Sequence, residues 1–472
     1  MGHGRRREYE LLDRIRDGRP MNRRERLDLI VRLSVPAILA QLSVIVMLYI
    51  DASMVGSLGA NASASIGLVS TTTWLFSGVC SAAAIGFSVQ AAHRIGAGDN
   101  AGARAVLRQG FTATLLFGVF VAAVGCGISG PLPVWLGGNE SITADATRYF
   151  RIFAFSLPLL QLNYLSGGML RCSGNMRVPS MLSVCMCVLD VLFNALLIFP
   201  TRSCSFAGMS FTLPGVDLGV AGAALGTAAA ETITALAMTA YLWFRSPELR
   251  LFRERGSFRP TVRCLREALR TGLPMGGEHA VMCGAQILTT VIVAPLGNAA
   301  IAANAFAITA ESLCYMPGYG IGDAATTLVG QCKGAERRDL MRRFARMTVW
   351  LGMGVMAFMG FVMYVGAPAM MGIMTPDVEI RTLGTSALRI AAFAEPMFAA
   401  SIVAYGAFAG TGDTIVPSCM NFLSIWMVRL PLAALLVPHF GLQGAWVAMS
   451  IELCFRGTIF LVRLLRERWL KP

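Results

Sequence analysis

The run VIVMLYIDASMVGSLG, residues 44–59, carries a single carboxylate, Asp51, among apolar neighbours. An acid in such a setting is costly unless partnered, and acids of this kind pair with one another or mark ion and proton paths. Further oxygen-bearing side chains belong to the same layer. Asp190 and Asn194 in DVLFNALLIFP are spaced i, i+4 and face one way on a helix, and Thr227 follows in GVAGAALGT. Measured at ~1.5 Å per residue from the span ends that Gly59, Pro200 and Gly219 mark, these four lie roughly 9–15 Å deep. If Asp51 and Asp190 lie within ~6 Å of each other, they cannot both stay ionised and unpaired in a low-dielectric layer. The chemistry is then the holding of a proton, or of a sodium ion with Asp51, Asp190, Asn194 and Thr227 as metal ligands; the alternative is that Asp51, Asp190 and Thr227 only hydrogen-bond to hold the helices together.

A second set lies in the second half of the chain. Glu311, Glu395, Arg429 and Glu452 are each ~16–18 Å from a membrane face by the same rise. Arg429 in WMVRLP is expected to pair with Glu395 or Glu452, and Glu311 and Glu395 are alternatively placed to meet a cationic substrate. Glu278, four residues after Pro274, sits nearer the arginine-rich end, where it would guard the way in.

The elements that must position these groups are membrane helices. Of 472 residues, 55% are hydrophobic and only 14% charged, well below the charge content of soluble domains. Twelve apolar runs are long enough to span, near 33–57, 61–92, 108–128, 149–170, 179–200, 219–244, 272–295, 300–331, 346–366, 387–409, 417–437 and 441–463. The fold class is thus an all-α polytopic membrane protein. The net charge of +13 does not mark a nucleic-acid binder. Of the 40 basic residues, 33 fall in the amino-terminal segment, the alternate loops and the tail. This is the positive-inside pattern, and it places both termini in the cytoplasm of a multi-pass inner-membrane protein, in contact with the lipid bilayer.

The chain is also duplicated. A shift of 238 residues lays Pro36 on Pro274, Leu58-Gly59 on Leu296-Gly297, Arg151 on Arg389 and Val178-Pro179-Ser180 on Val416-Pro417-Ser418. Six spans per half make these parallel repeats, the architecture of rocking-bundle transporters with a central site. Residues 1–27 read as a mobile basic cytoplasmic segment, 28–245 as the first six-helix lobe, 246–269 as a basic cytoplasmic linker, and 270–472 as the second lobe with a short basic tail. The cysteines lie mostly in apolar runs and read as small packing residues rather than disulfides or metal ligands.

The segments VPAILAQL…YIDASMVGSLGA, HRIGAGD, GLPMGGEH…APLGNAAIAANAFAITAESLCYMPGYGIGDAATTLVGQCKGAE and IWMVRLPLA resemble the multidrug and toxic compound extrusion (MATE) family over residues 30–465. The family implies a V-shaped pair of bundles that exports small organic, often cationic, compounds against a proton or sodium ion, as a monomer and without a cofactor. Within it the DinF-like branch places an aspartate fifteen residues after a proline in the first helix, as Pro36 and Asp51 stand here. It also places a threonine where Thr227 stands and a polar residue where Asn163 stands. Its fifth helix carries Asn-x-x-x-Asp, whereas this chain has the inverted pair Asp190 and Asn194.

Two other classes compete. A lipid-linked precursor flippase of the same broader superfamily would carry a more basic cavity, and the charges within these spans are mainly acidic. A membrane-embedded enzyme finds no support in motifs: His3, His93, His279 and His439 are scattered, and neither H-E-x-x-H nor G-x-S-x-G occurs.

Overall fold

The computed structural model describes residues 3–206, 209–253 and 255–470. The first two residues of the basic amino-terminal segment and the last two of the tail, including Lys471, lie outside the described residues. In chain order the helices are α1 (His3–Arg16), α2 (Arg23–Gly56), α3 (Ala60–Gly96), α4 (Asn100–Ile128), the short α5 (Leu132–Trp135), α6 (Glu140–Cys172), α7 (Arg177–Leu197) and α8 (Gly219–Phe244). The second half continues with α9 (Val262–Val293), α10 (Asn298–Gly334), α11 (Arg338–Met374), α12 (Val378–Ala392), α13 (Glu395–Gly410), α14 (Ile415–Leu423) and α15 (Leu430–Leu465).

Three departures from straight helices produce the span pattern. The pair α12 and α13 forms one span bent by 60°, with Pro396 in the first turn of its second part. Between α14 and α15 the chain makes a π-helical turn over Ser424–Arg429. Within α15 the backbone reverses at Gly441, whose φ of 59° and ψ of −142° lie outside the helical region. The continuous segment Ile415–Leu465 is therefore two spans. With α6, which is 33 residues long but more polar than its neighbours, the described chain has twelve spans, six in each half.

The duplication is visible at the seam between the lobes. Gly96 on α3 meets the carbonyl of Gln331 on α10, and Gly334 on α10 meets the carbonyl of His93 on α3. The two contacts exchange under the 238-residue shift, so a pseudo-two-fold axis passes between them. Any Cβ at Gly96 or Gly334 would overlap the facing carbonyl, which is why both halves carry glycine there. Polar bonds reinforce this end. The His93 ring bonds the Gly410 carbonyl at 2.7 Å, Gln331 donates to the Cys172 carbonyl at 2.9 Å, and Gln90 donates to the Cys264 carbonyl at 3.0 Å. Arg171 and Asp323 pair across the seam at 3.9 Å. Among the described residues, the hydrogen bonds and ion pairs that join the lobes all lie towards the arginine-rich end.

Two expectations are corrected here. The segment expected to be a mobile extension carries an ordered helix: α1 buries Leu11, Leu12 and Ile15 in one apolar cluster with Met176, Leu340, Met341 and Phe344. Its polar face is tied to the first lobe by Glu8–Arg177 at 3.2 Å and to the linker by Arg16–Glu248 at 3.4 Å. Just beyond it, Arg337 of the second lobe donates to the Arg19 carbonyl at 3.4 Å. The connection from α7 to α8 carries an antiparallel hairpin, β1 (Pro200–Phe206) with β2 (Met209–Val216). The linker ends early, because Thr261 caps α9 by accepting from the Cys264 N–H and the helix starts at Val262.

Leu12 is fully buried against Gly174 in the turn before α7. Leu12→Ala is expected to destabilise the purified protein by about 2–5 kcal/mol, read as a lowered Tm. An unchanged Tm would show that α1 contributes nothing to the closed end.

Candidate functional site

The first-lobe site is built where α2, α7 and α8 pack. On its inner side Met47, Met186 and Ala230 form a small apolar cluster, and on its outer side Val55, Ala62, Ile198, Val220 and Ala223 form another. Asp51 stands one turn from both Met47 and Val55, and Asp190 and Asn194 stand between Met186 and Ile198. The polar layer is therefore sealed above and below by apolar side chains.

Within it, Asn194 Nδ2 donates to Asp51 Oδ1 at 2.9 Å and to Asp190 Oδ2 at 3.1 Å. One amide group thus clamps both carboxylates. Asp190 and Asn194 have no exposed surface, and Asp51 is half-buried. Helix α8 closes in at Gly226, where a side chain would collide with Asn194 Oδ1. Two buried oxygens, Asp190 Oδ1 and Asn194 Oδ1, have no hydrogen-bond partner. Among the described ion pairs, neither aspartate has a basic partner. Two neutral N–H donors do not offset two anions in a medium of low polarity. The site is chemically complete only with one added positive charge.

Thr227 lies on α8 at this level, and Asn163 lies on α6; neither is hydrogen-bonded to the trio. A sodium ion here would have two carboxylates and the Asn194 oxygen to hand, with Thr227 nearby on the adjoining helix. Among the described residues no group of three or more His, Cys, Asp or Glu side chains forms a metal cluster. One acid escaped the sequence reading. Glu231, one turn from Thr227 on α8, lies within electrostatic reach of Asp190, Tyr149 and Tyr164. It is the sole charged residue of Gly219–Phe244, which was the signal that could have found it.

The second lobe treats its charges differently. Arg429 donates to Glu452 Oε2 from Nε at 3.0 Å and from Nη2 at 2.6 Å, a two-pronged contact. Arg456 meets the other oxygen of Glu452 at 3.1 Å, and Ser424 also donates to it. The π-helical turn delivers both Ser424 and Arg429 to this point, as the extra residue of such a turn re-aims side chains. Of the two partners open to Arg429 in the sequence, the structure takes Glu452. Glu395 remains fully buried with both carboxylate oxygens free of hydrogen bonds. It lies beside Glu311, which in turn faces Arg429. Glu278 accepts from Tyr405 at 2.7 Å, Ser418 at 2.8 Å and Asn421 at 2.5 Å. It is held inside the second lobe rather than standing free at an opening. Thr289, the repeat counterpart of Asp51, bonds only back to its own helix at Ala285.

Two six-helix lobes related by a pseudo-two-fold axis, closed at one end and carrying uncompensated acids in each, define a membrane transporter rather than an enzyme. The MatE family model matches residues 36–196 and again 274–435, starting points that differ by the same 238 residues, and the chain belongs to this family of transporters. It is 26% identical over 444 residues to a probable multidrug resistance protein NorM of Thermotoga maritima, covering 94% of this chain and 93% of that one. A NorM of Pseudomonas aeruginosa is 29% identical over 433 residues, covering 90% and 86%. Among solved structures, an outward-facing multidrug resistance MATE transporter superposes with a TM-score of 0.85 at 20% identity, covering 93% of this chain and 95% of that one. A MATE transporter in complex with MaL6 superposes at 0.84 with 19% identity, covering 94% and 96%.

Arg429→Ala leaves Glu452, which has no exposed surface, with one guanidinium instead of two. The expected cost is up to about 3–5 kcal/mol, seen as reduced folded yield and lowered Tm. A variant of normal stability with altered substrate preference would instead put Arg429 in the substrate path.

Proposed function

We propose that the chain is a cation-coupled antiporter that exports organic cations from the cell by alternating access. The observation that carries this reading is the Asp51–Asn194–Asp190 clamp, a buried pair of acids with no basic partner and room for one positive charge. Transport follows from differential binding: a charge arriving from outside neutralises the pair, and a site that has lost its negative charge holds a cation less well. The lobes meet at the arginine-rich end, which the positive-inside rule assigns to the cytoplasm together with both termini. In that orientation the seam is shut towards the cytoplasm, so the pair is charged from the outside. Labelling a cysteine placed at the exposed Ser257 tests the orientation: reagent should reach it only from the cytoplasmic face.

The proton is the favoured coupling ion. The nitrogen of Asn194 faces both carboxylates, an arrangement suited to an acid pair that shares one proton. Sodium is the second reading, favoured by the two free oxygens of Asp190 and Asn194. For the substrate, the aromatic pair Tyr315 and Tyr319 on the second lobe and the exposed Trp74 on the first supply faces that attract flat cations. The multidrug resistance names of the relatives agree with that class. The flippase reading is weaker, because the acids left without a basic partner outnumber free basic groups inside the spans. The expected working unit is the monomer in the cell membrane, with the coupling ion and the organic substrate as partners.

Reconstituted protein should drive efflux of an organic cation under an imposed proton gradient and not under a sodium gradient of equal size. Asp51→Asn should insert and fold normally and lose gradient-driven efflux. Native-rate export by that variant would move the coupling site to Glu311 and Glu395.

A further inference from the structure

The arginine-poor end holds a few arginines whose place the transport cycle does not explain. Seven of the 40 basic residues lie outside the arginine-rich segments: Arg148, Arg151, Arg202, Arg381, Arg389, Arg429 and Arg456. The last two are bound by Glu452. Arg381 and Arg389 stand together on one face of α12 and line a groove of about 770 Å³ against α11. Thr382, Thr385, Ser386 and Tyr364 add hydroxyl groups to its walls. Arg389 lies over the Tyr364 ring, 5.5 Å from its centre, and donates to the Tyr364 carbonyl at 3.4 Å. Arg381 rests against Gly372. Among the described ion pairs neither arginine has a carboxylate.

The level of the groove matters. Gly410 belongs to the closed seam at the other end of the α12–α13 span. Counting back to Arg389 at ~1.5 Å per residue, and allowing for the bend, gives about 28 Å. The hydrocarbon core of a bilayer is ~30 Å thick. Arg389 therefore stands at the headgroup level of the opposite leaflet, with Arg381 above it in the wetter zone. The groove also opens onto lipid. Phe361 and Val365, which flank Tyr364 on α11, are 66% and 61% exposed, and Phe393 below Arg389 is 75% exposed. An apolar belt below and two unpaired guanidinium groups above match a phospholipid in shape and in charge.

We infer that this groove holds the headgroup of an anionic phospholipid in the leaflet away from the arginine-rich end. Its phosphate lies between the Arg389 guanidinium and the hydroxyls of Thr385 and Ser386, a charge-assisted arrangement that arginine serves in two-pronged fashion. Arg381 meets the outer part of the headgroup, and the acyl chains run along Phe361, Val365 and Phe393. The site is peculiar to the second lobe. The repeat counterpart of Arg389, Arg151, bonds Ser129 at 3.2 Å, and the counterpart of Arg381 is Thr143. It is also distinct from contacts that the basic cytoplasmic segments make with the other leaflet.

The test uses the whole protein in phosphatidylcholine vesicles that contain a trace of spin-labelled phosphatidylglycerol or spin-labelled phosphatidylcholine. The measured quantity is the ratio of motionally restricted label for the two lipids. Native protein should prefer phosphatidylglycerol, by up to ~5-fold per arginine, and Arg151→Gln should keep that preference. The double variant Arg381→Gln with Arg389→Gln should bring the ratio to that of a generic protein surface. Should the double variant fail to fold, Arg389→Gln alone reads the same ratio, with a partial loss expected. Native preference in the folded variant would overturn the proposal. So would loss of the preference on adding inorganic phosphate, because that outcome identifies a small-anion site instead of a lipid site.

Discussion

Two carboxylates held by one amide, in a layer between apolar clusters, set the terms for the first lobe. The side chain of Asn194 offers two N–H donors and spends both on Asp51 and Asp190. That bond pattern holds α2 and α7 together while leaving the charge unbalanced. Pairing each aspartate with an arginine would remove the imbalance and with it any reason for a proton or cation to bind. The second lobe shows that alternative: Glu452 is neutralised by Arg429 and Arg456, and its three groups form a rigid core network. Glu311 and Glu395 beside it keep a surplus of negative charge within that lobe as well.

The same scaffold carries both solutions because the duplication fixes backbone geometry, not side-chain chemistry. The exchange of Gly96 and His93 with Gly334 and Gln331 at the seam shows how closely the backbones obey the pseudo-symmetry. The site positions do not obey it, since Thr289 replaces Asp51. Closure at the arginine-rich end rests on glycine contacts and a few hydrogen bonds to carbonyls, and α1 packs across that end. Among the described residues the ion pair that joins the lobes is Arg171–Asp323 at 3.9 Å, and the other contacts can separate without breaking a charge pair.

Much of this architecture was legible in the sequence. Hydropathy placed the twelve spans, the 238-residue shift revealed two parallel halves, and the i, i+4 spacing put Asp190 and Asn194 on the face that meets Asp51. What stayed hidden depends on side-chain direction and on local backbone irregularity. Both Glu395 and Glu452 were at the right depth for Arg429, and only the π-helical turn over Ser424–Arg429 decides between them. Depth alone also put Thr227 with the aspartates, although it bonds to neither. Helix α1 is hidden in the sequence because the charges around the apolar positions Leu11, Leu12 and Ile15 mask them.

The central claim is that the Asp51–Asp190 pair holds a proton that a cationic substrate displaces. Adding tetraphenylphosphonium to weakly buffered, detergent-purified protein and following a pH indicator tests this without any gradient or membrane. The account predicts proton release that saturates with substrate in the native protein and is absent in Asp190→Asn. Undiminished release from that folded variant, or substrate binding with no release from the native protein, would contradict it.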